Sequence, residues 1–568
     1  MRVLLLCSAF NGLSQRIHRE LALLDCEVSV QLATGEAAME RAVADFLPRL
    51  IICPYLVHRI PASIWRKTPC LVVHPGIEGD RGPSSLDWAI DSNCTEWGVT
   101  LLQANGEMDA GDIWGSVSFP LRAAGKAGHY RREVTAAAAL LVKRAIASMQ
   151  DPAFRPRPLL PEKAPGRLLP PMTQADRAID WRRDATDTVI AKLRAADSAP
   201  GVCEEIAGKT VFLYGVRRET ALSGDAGAFI ASSNGALCRA TADGAVWLLQ
   251  ARRKGGIKLP AARVLVPLLD KALPELEQIA EPVRDIRVER RGDVAYLYFE
   301  FPGGAMDSLQ CLRLLRHYRE LQASDAKVLV LMGGEDFWSN GLHLHVIEAA
   351  ANPAQESWEN ICAIDDLVEA IVNTPRQITV AALRANAGAG GAMMALACDH
   401  VVVREGVVLS PHYRTMGLYG SEYWTYLLPR RVGQKVAASL TEKCLPLLAA
   451  EALQTGYADE VFDEDWHIFG RELEQFCEEI ARSRRFERHL KAKRDLRAAD
   501  EKRKPLQQYR DEELEKMRAT FFDAESEYHR ARRHFVYKIP AKETPAHLRR
   551  QRRKVRFWQR PVFSQPFS

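Results

Sequence analysis

The sequence predicts an α/β protein of several domains, in which a doubly wound parallel sheet, a small β-barrel, a second α/β domain and a helical C-terminal extension follow one another. At 568 residues the chain is too long for a single hydrophobic core. Short apolar runs alternate with amphipathic stretches, which is the pattern of strand–helix–strand units. Seven prolines between positions 151 and 171 separate the first such region from the rest.

The first domain is predicted at residues 1–150. Its strand candidates are residues 3–6, 28–32, 50–53 and 70–73, and its helix candidates are residues 13–24 and 36–46. Their alternation predicts helices on both faces of a parallel sheet. Residues 151–172 lack apolar periodicity and are predicted to be an extended, proline-rich connector.

Three further units follow the connector. Residues 173–282 predict one helix (186–195) and then short strands at 211–214, 228–231, 236–240 and 246–251, typical of a small β-barrel. Residues 283–465 predict a second α/β unit, with strands at 294–299, 327–332, 378–382 and 400–403. Residues 466–568 are charged and almost wholly helical in pattern.

Composition indicates a soluble globular protein of the cytoplasm. The chain is 47% hydrophobic and 26% charged. No apolar stretch approaches the ~20 residues that cross a bilayer, and the start lacks a signal-peptide cleavage pattern, so no membrane partner is expected. Twelve cysteines without a Cys-x-x-Cys pair predict reduced thiols and no metal site.

The net charge of +5 is unevenly distributed. Residues 481–568 carry 26 Lys and Arg against 12 Asp and Glu, whereas residues 1–480 carry 51 against 60. A solvated helical surface, nucleic-acid binding and binding of a cofactor's phosphates are the three interpretations.

The first chemical motif is a histidine at the end of a predicted strand. His74 follows the apolar run 70–73 and precedes a Gly/Pro-rich loop, at the strand end where open α/β sheets bind ligands. A second strand leads to the tight acidic turn Asp109-Ala-Gly-Asp112.

Together these segments resemble the formyltransferases that use 10-formyltetrahydrofolate, methionyl-tRNA formyltransferase in particular. The matching residues are His74, Arg81-Gly82, 88–90, 98–100 and 108–112, and the segments 178–181, 200–201 and 211–215 resemble the OB-like C-terminal domain of that family. The resemblance covers residues 1–280 and implies 10-formyltetrahydrofolate as a substrate. It implies that His74 stabilises a tetrahedral intermediate and shuttles a proton, while Asp109 raises its basicity and fixes its tautomer.

One position departs from that family. Its active-site Asn falls on Val72 here, and loss of such an amide donor costs ~10²–10³ in rate unless another group replaces it. Ser84, Ser85 or a backbone amide are the candidate replacements. Arg81 and Asp112 are the other residues expected to bind the folate.

The second motif comprises two glycine-rich loops. Residues 333–343 and 385–399 resemble those of the crotonase (enoyl-CoA hydratase/isomerase) family, and the match runs from residue 286 to residue 461. The resemblance implies a ββα superhelix that binds coenzyme A. The amides of Leu342 and Gly390 would polarise a thioester carbonyl, and the adjacent Gly341 and Gly391 are expected to bind coenzyme A.

The crotonase match also predicts a change of reaction. Met393 stands where hydratases carry one catalytic Glu and the region of His412 and Tyr413 where they carry the other, so hydration is not expected. Tyr413 and Glu422 are the candidates for proton transfer. The alternative is that Glu422 is a helix cap or a dipole partner and that the tyrosines only pack.

The combination of both modules in one chain resembles a family of [NiFe]-hydrogenase maturation proteins. It implies formyl transfer from 10-formyltetrahydrofolate to coenzyme A, decarbonylation of formyl-CoA to carbon monoxide, and hydrogenase maturation proteins as partners. The basic tail would then hold phosphates of coenzyme A. Two alternatives stay open: a formyltransferase for an amine acceptor with a non-catalytic crotonase scaffold, and nucleic-acid binding by the tail, which lacks a helix-turn-helix or finger pattern.

Overall fold

The computed structural model describes residues 1–550. The first domain contains a six-stranded sheet in the order β2-β1-β3-β4-β5-β6. Its elements are β1 (Arg2–Cys7), α1 (Gly12–Leu23), β2 (Glu27–Leu32), α2 (Glu36–Phe46), β3 (Leu50–Cys53), α3 (Ala62–Trp65), β4 (Cys70–His74), α4 (Ser85–Asp91), β5 (Glu96–Gln103), β6 (Ile113–Pro120), α5 (Lys126–His129), the π-helical turn Tyr130–Val134 and α6 (Thr135–Ser148).

The doubly wound fold of this domain is confirmed. Alternate residues of β1 face opposite layers: Val3 and Leu5 pack with α1 and α6, and Leu4 and Leu6 pack with α2. Strands β1 to β4 are parallel as predicted, but β5 runs antiparallel to β4 and to β6. The sheet is therefore mixed rather than wholly parallel.

The second domain is an antiparallel sheet. Its elements are α7 (Thr186–Ala195), β7 (Val202–Ile206), β8 (Lys209–Glu219), β9 (Phe229–Ser233), β10 (Ala236–Ala240), β11 (Ala245–Arg253), β12 (Leu259–Pro260) and α8 (Ala261–Leu265), followed by 3-10 turns at Val266–Leu268 and Glu281–Val283. The strand order is β7-β8-β11-β10-β9, with β12 on β11. Because β7 and β9 do not pair with each other in the described chain, the sheet of the predicted small β-barrel stays open.

The third domain is built on a sheet in the order β13-β14-β16-β18-β20-β23, with β13 antiparallel and the others parallel. Its elements are β13 (Ile286–Arg291), β14 (Val294–Phe299), β15 (Ala305–Met306), α9 (Ser308–Ala323), β16 (Val328–Gly333), β17 (Gly341–Leu342), α10 (Leu344–Glu348), α11 (Pro353–Val372), β18 (Ile378–Leu383), β19 (Ala387–Gly388), α12 (Gly390–Ala395), β20 (His400–Arg404), β21 (Val408–Ser410), α13 (Trp424–Val432), α14 (Gln434–Lys443), β22 (Leu447–Leu448), α15 (Ala449–Thr455) and β23 (Glu460–Phe462), with 3-10 turns at Pro302–Gly304 and Tyr413–Met416.

The C-terminal extension packs as a layer of the third domain. It contains α16 (Trp466–Arg482), α17 (Phe486–Arg503), α18 (Leu506–Phe522), α19 (Glu527–Val536) and the 3-10 turn Ala546–Leu548. Phe469 and Leu473 of α16 cover one face of the sheet, and Met517 and Phe521 of α18 join the core on the other. The prediction of a helical extension is confirmed as far as residue 550, and residues 551–568 of the predicted basic tail lie outside the described residues.

Many charges of the extension are paired. Ion pairs join Lys491 to Asp495, Lys493 to Asp399, Arg497 to Glu501, Lys504 to Glu512, Arg510 to Asp366 and Arg532 to Glu348. The pairs of Lys493, Arg510 and Arg532 join the extension to the third domain, so part of the basic surplus stabilises this packing.

The end of the described chain returns to the first domain. Thr544 Oγ1 accepts a hydrogen bond from the Leu32 amide at 2.8 Å, and the Arg550 amide donates to Ser29 Oγ at 3.0 Å. Leu548 is buried in the core of the first domain. The extension thus ties the first domain to the third.

We expect Leu548→Ala to lower the free energy of unfolding by about 2–5 kcal/mol, because it leaves a cavity in the core of the first domain. Leu309→Ala, at a side chain that is 72% exposed, is the matched control and should change it by less than about 0.5 kcal/mol. Urea unfolding followed by tryptophan fluorescence measures both. Equal stabilities of the two variants would contradict the docking of the C-terminal segment.

Candidate active sites

The first site is centred on His74 at the carboxyl end of β4. Its Nε2 lies 2.8 Å from Asp80 Oδ2, and its Nδ1 lies 3.7 Å from Asp109 Oδ2. His74 and Asp80 are almost completely buried. The imidazole therefore stands between two carboxyl groups, of which only Asp80 is at hydrogen-bonding distance.

Asp80 was not among the residues expected from the sequence. A signal was present, since it precedes Arg81-Gly82 in the loop that follows His74. Sequence spacing does not show that this loop folds back onto the histidine. Asp109 lies where the sequence analysis expected it, but 3.7 Å is long for a hydrogen bond to His74.

A glycine makes the His74–Asp80 pair sterically possible. A Cβ on Gly76 would overlap both Asp80 Oδ2 and His74 Nε2. The connector holds the same loop from outside, because the Gly166 amide donates to Glu78 O (2.9 Å) and the Leu169 amide donates to Arg81 O (3.0 Å). The proline-rich segment thus stabilises the conformation of this loop and also links the two domains.

The acidic turn that carries Asp109 is also tightly constrained. Asp109 has a left-handed backbone with φ of 53°, and a Cβ on Gly111 would overlap Gln103 O. The Gly82 amide donates to Asp109 Oδ2 at 3.4 Å. These contacts place the carboxyl group of Asp109 at the mouth of the site.

A cavity of about 220 Å³ opens beside His74. Its lining includes Val72, His74 and Asp109 from the sequence analysis, and also Tyr55 and Tyr130. Tyr130 begins the π-helical turn, which directs it and Val134 into the cavity.

The other predicted folate-binding residues lie at different distances from this cavity. Ser85 lines it, but its hydroxyl donates to Pro75 O (2.7 Å) and accepts from Trp97 Nε1 (3.2 Å). Ser84 Oγ accepts from the Met172 amide at 3.0 Å. The hydroxyl proton of Ser85 is therefore already donated to Pro75 O, and Ser84 does not line the cavity, so neither serine is placed to replace the missing amide at Val72.

Arg81 and Asp112 do not line the cavity. Arg81 Nη1 is paired with Glu107 Oε1 at 2.6 Å, and Asp112 is exposed. Their roles in folate binding remain a prediction from family resemblance.

The second site lies where the two glycine-rich loops of the third domain meet. Gly341 and Leu342 form β17, and Gly390 and Gly391 begin α12. A Cβ on Gly341 would lie 3.3 Å from Gly390 N, and one on Gly391 would overlap Ser339 O. The structure thus brings together the segments of both predicted oxyanion amides.

Glu422 occupies the space beside Gly390. A Cβ on Gly390 would overlap Glu422 Oε1, so only glycine allows the carboxyl group to lie there. Tyr413 donates its hydroxyl to Glu422 Oε2 at 2.6 Å, and the Ser421 amide donates to the same oxygen at 3.1 Å. Glu422 and Tyr413, separated by nine residues in sequence, form one hydrogen-bonded pair at the helix start.

Burial dominates the electrostatics of this pair. It raises the pKa of Glu422 to about 8, with the negative charge of Asp365 contributing and the Tyr413 hydroxyl and the Ser421 amide opposing. The pKa of Tyr413 is raised well above its ordinary value by burial and by Glu422. Glu422 is therefore able to change protonation near neutral pH, which general acid/base catalysis requires.

Two residues at the positions of the hydratase carboxylates have other roles. Met393 is fully buried in the core, and His412 Nδ1 lies 2.7 Å from Ser410 O. Burial lowers the pKa of His412. Glu422 is thus the carboxyl group that the fold places at the oxyanion segments, from a different position in the sequence.

Residues 1–550 contain neither a candidate membrane span nor a candidate metal site. None of the helices there is both long and apolar enough to span a bilayer. Within the same range, no three His, Cys, Asp or Glu side chains cluster as metal ligands would. All twelve cysteines are free thiols.

Comparison with known proteins gives full-length matches. The chain is 44% identical over 548 residues, or 96% of both chains, to the hydrogenase maturation factor HoxX of Bradyrhizobium diazoefficiens. The chain belongs to the HypX/HoxX family of hydrogenase maturation factors. The crystal structure of HypX from Aquifex aeolicus in complex with tetrahydrofolic acid superposes with a TM-score of 0.92 at 41% identity, covering 97% of this chain and 98% of that one.

The two modules of this HypX/HoxX protein also match separately. The model of the formyl transferase C-terminal domain matches residues 171–266, and that of enoyl-CoA hydratase/isomerase matches residues 308–542. Methionyl-tRNA formyltransferase of Methylibium petroleiphilum is 28% identical over 213 residues, covering 37% of this chain and 64% of its own length. These matches confirm the predicted pairing of modules and indicate an enzyme.

We expect Gly76→Ala to separate His74 from Asp80, because the new methyl group would occupy the space of both contacting atoms. A crystal structure of the variant should show Nε2 and Oδ2 more than 3.5 Å apart. Gly106→Ala is the matched control, since its Cβ would meet only Trp65, at 4.0 Å. An unchanged 2.8 Å contact in Gly76→Ala would show that the loop is freer than described.

Proposed function

We propose that this protein transfers the formyl group of 10-formyltetrahydrofolate to the thiol of coenzyme A at the His74 site and converts formyl-CoA to carbon monoxide at the Glu422 site. The observation that carries the proposal is the buried Glu422–Tyr413 pair against Gly390, at the oxyanion segments of a coenzyme A-binding fold. The complex of the Aquifex aeolicus relative with tetrahydrofolic acid supports a folate at the first site.

In the first half-reaction, the sulfur of coenzyme A attacks the formyl carbon and the C–N bond to the folate breaks. His74, held between Asp80 and Asp109, is positioned to take the proton of the attacking thiol and to deliver it to the departing nitrogen. A thiolate attacks a formyl group more readily than an amine does, which offsets the loss of the amide at Val72.

In the second half-reaction, Glu422 accepts the formyl hydrogen as a proton. The C–H electron pair stays on carbon, the C–S bond breaks, and the sulfur leaves with the bonding pair and is then protonated. The products are carbon monoxide and coenzyme A, so the step needs no oxidant or reductant. The Leu342 and Gly390 amides would hold the carbonyl oxygen, and Tyr413 would relay the proton.

A cluster of cations between the domains supports binding of the coenzyme A phosphates. The pKa of Lys258 is lowered to about 8, chiefly by burial and further by Lys538, Arg131 and Arg252, against the opposing effect of Asp197. These residues come from the first and second domains and from the extension. The proposal that the basic extension contributes to a phosphate clamp therefore rests on Lys538 in particular.

Contacts between the domains support the use of one coenzyme A molecule by both sites. Arg131 Nη1 is paired with Asp336 Oδ2 at 2.7 Å, next to the oxyanion loop of the third domain. A Cβ on Gly12, at the start of α1, would lie 3.2 Å from Asn386 Nδ2 in the other glycine-rich loop. The long pantetheine arm could then present its thiol to each site in turn.

The proposed product is the carbon monoxide ligand of [NiFe]-hydrogenase, and hydrogenase maturation proteins are its proposed recipients. The decisive assay combines purified protein, 10-formyltetrahydrofolate and coenzyme A, and follows carbon monoxide by haemoprotein absorbance. Formation of tetrahydrofolate without coenzyme A, with an amine as acceptor, would contradict the proposal.

We expect His74→Ala to lower tetrahydrofolate formation by ~10²–10⁴, the usual contribution of general acid/base catalysis. Asp80→Asn should also lower it, because it removes the charge that hydrogen-bonds to Nε2. Asp45→Asn, at an exposed carboxyl group of α2, is the control for Asp80→Asn and should retain parental turnover. Full turnover by His74→Ala would refute the first site.

We expect Glu422→Gln to retain tetrahydrofolate formation while carbon monoxide release falls by ~10²–10⁴, because the amide keeps the size of the side chain but cannot accept the proton. Formyl-CoA, or formate from its hydrolysis, should accumulate. The His74→Ala protein supplied with formyl-CoA should still release carbon monoxide. If Glu422→Gln released carbon monoxide at the parental rate, Glu422 would be a structural cap. Tyr413 and His412 would then be the next candidates for the base.

A further inference from the structure

A second buried carboxyl group, Asp365 of α11, holds the turn that carries Glu422. Asp365 Oδ1 accepts a hydrogen bond from the Glu422 amide at 2.9 Å, and Asp365 Oδ2 accepts one from Ser421 Oγ at 2.8 Å. Asp365 has no exposed surface. Both carboxyl oxygens are therefore committed to the two residues that position the proposed base.

The turn itself has an unfavourable backbone. Glu422 has φ of 60° and Tyr423 has φ of 57°, two consecutive left-handed residues that both carry large side chains. Such a conformation persists only where surrounding contacts fix it. The hydrogen bonds that Asp365 accepts from Ser421 Oγ and the Glu422 amide tie the backbone at the start of this turn to α11.

We propose that Asp365 is a positioning residue for Glu422: its carboxyl group fixes the left-handed turn that directs Glu422 to Gly390, and its negative charge makes Glu422 a stronger base. The catalytic part of this inference rests on the proposed function, whereas the effect on Glu422 itself does not.

The charge effect has a definite sign. Burial raises the pKa of Asp365 to about 7, and Asp365 in turn contributes to raising the pKa of Glu422 to about 8. Above pH 7, Asp365 is ionised, and its negative charge keeps Glu422 protonated up to a higher pH. Without that charge, Glu422 should lose its proton at lower pH and be a weaker base.

Other titratable groups also face the two carboxyl groups. They are Cys311 of α9, Cys362, Asp366 and Glu369 of α11, Tyr413 of the 3-10 turn, Tyr423 before α13, and Arg510 and Glu513 of α18. Arg510 lowers the pKa of Asp365, which favours its ionised form. Burial raises the pKa of Glu513 to about 8, so Glu513 is largely neutral at pH 7 and contributes little charge there.

The test measures the protonation of Glu422 in Asp365→Asn by two methods. Infrared difference titration follows the protonated-carboxyl band that Glu422→Gln abolishes, and the pH profile of carbon monoxide release from formyl-CoA follows the catalytic base. Both midpoints should move to lower pH by about one unit in Asp365→Asn, and the maximal rate should fall at least tenfold. Glu359→Gln is the matched control on the same helix, since its carboxyl group is exposed and accepts a hydrogen bond from Gln355 Nε2, and its midpoints should stay parental.

Ser421→Ala gives an independent variant if Asp365→Asn does not fold. Loss of the hydroxyl donor raises the pKa of Asp365, so less of its charge acts on Glu422 and both midpoints should move in the same direction by a smaller amount. An unchanged infrared midpoint in folded Asp365→Asn overturns the inference. Parental protein that releases no carbon monoxide overturns the proposed function instead, because the infrared titration does not depend on turnover.

Discussion

The burial of a single carboxyl group, Glu422, is the constraint on which the third domain depends. A carboxyl group removed from water needs donors for its oxygens and room beside the backbone amides that it faces. Gly390 provides the room, and Tyr413 and the Ser421 amide provide the donors. The left-handed turn at Glu422 and the carboxyl group of Asp365 behind it are consequences of the same requirement.

The C-terminal extension completes this burial. Helix α18 packs on α11 and α13, where Glu513 accepts a hydrogen bond from the Thr425 amide and Arg510 pairs with Asp366 and Glu369. Helix α18 therefore covers the start of α13, which follows directly on the turn that carries Glu422. The family match, which runs to residue 542, includes these helices with the domain that they cover.

At the first site, the loops around the histidine are irregular, and contacts with neighbouring segments fix their conformation. Gly76 lets Asp80 return to His74, and the connector fixes that loop by backbone hydrogen bonds. The C-terminal segment around Leu548 then joins the first domain to the last helices. The two sites are therefore held in one framework, as a substrate shared between them would require.

The sequence by itself determined the modules and most strands and helices, because periodicity and motif spacing are local properties of the chain. Strand 50–53 and helix 186–195 were predicted at their observed bounds, and His74, Glu422 and Gly390 were identified from motifs. Only the tertiary structure decided that β5 runs antiparallel to its neighbours β4 and β6, and that the second sheet stays open. It also decided that Asp80 rather than Asp109 is hydrogen-bonded to His74, and that Asp365 lies behind Glu422. Each of these depends on contacts between segments far apart in sequence or on loop conformations, and neither residue spacing nor hydrophobic pattern specifies them.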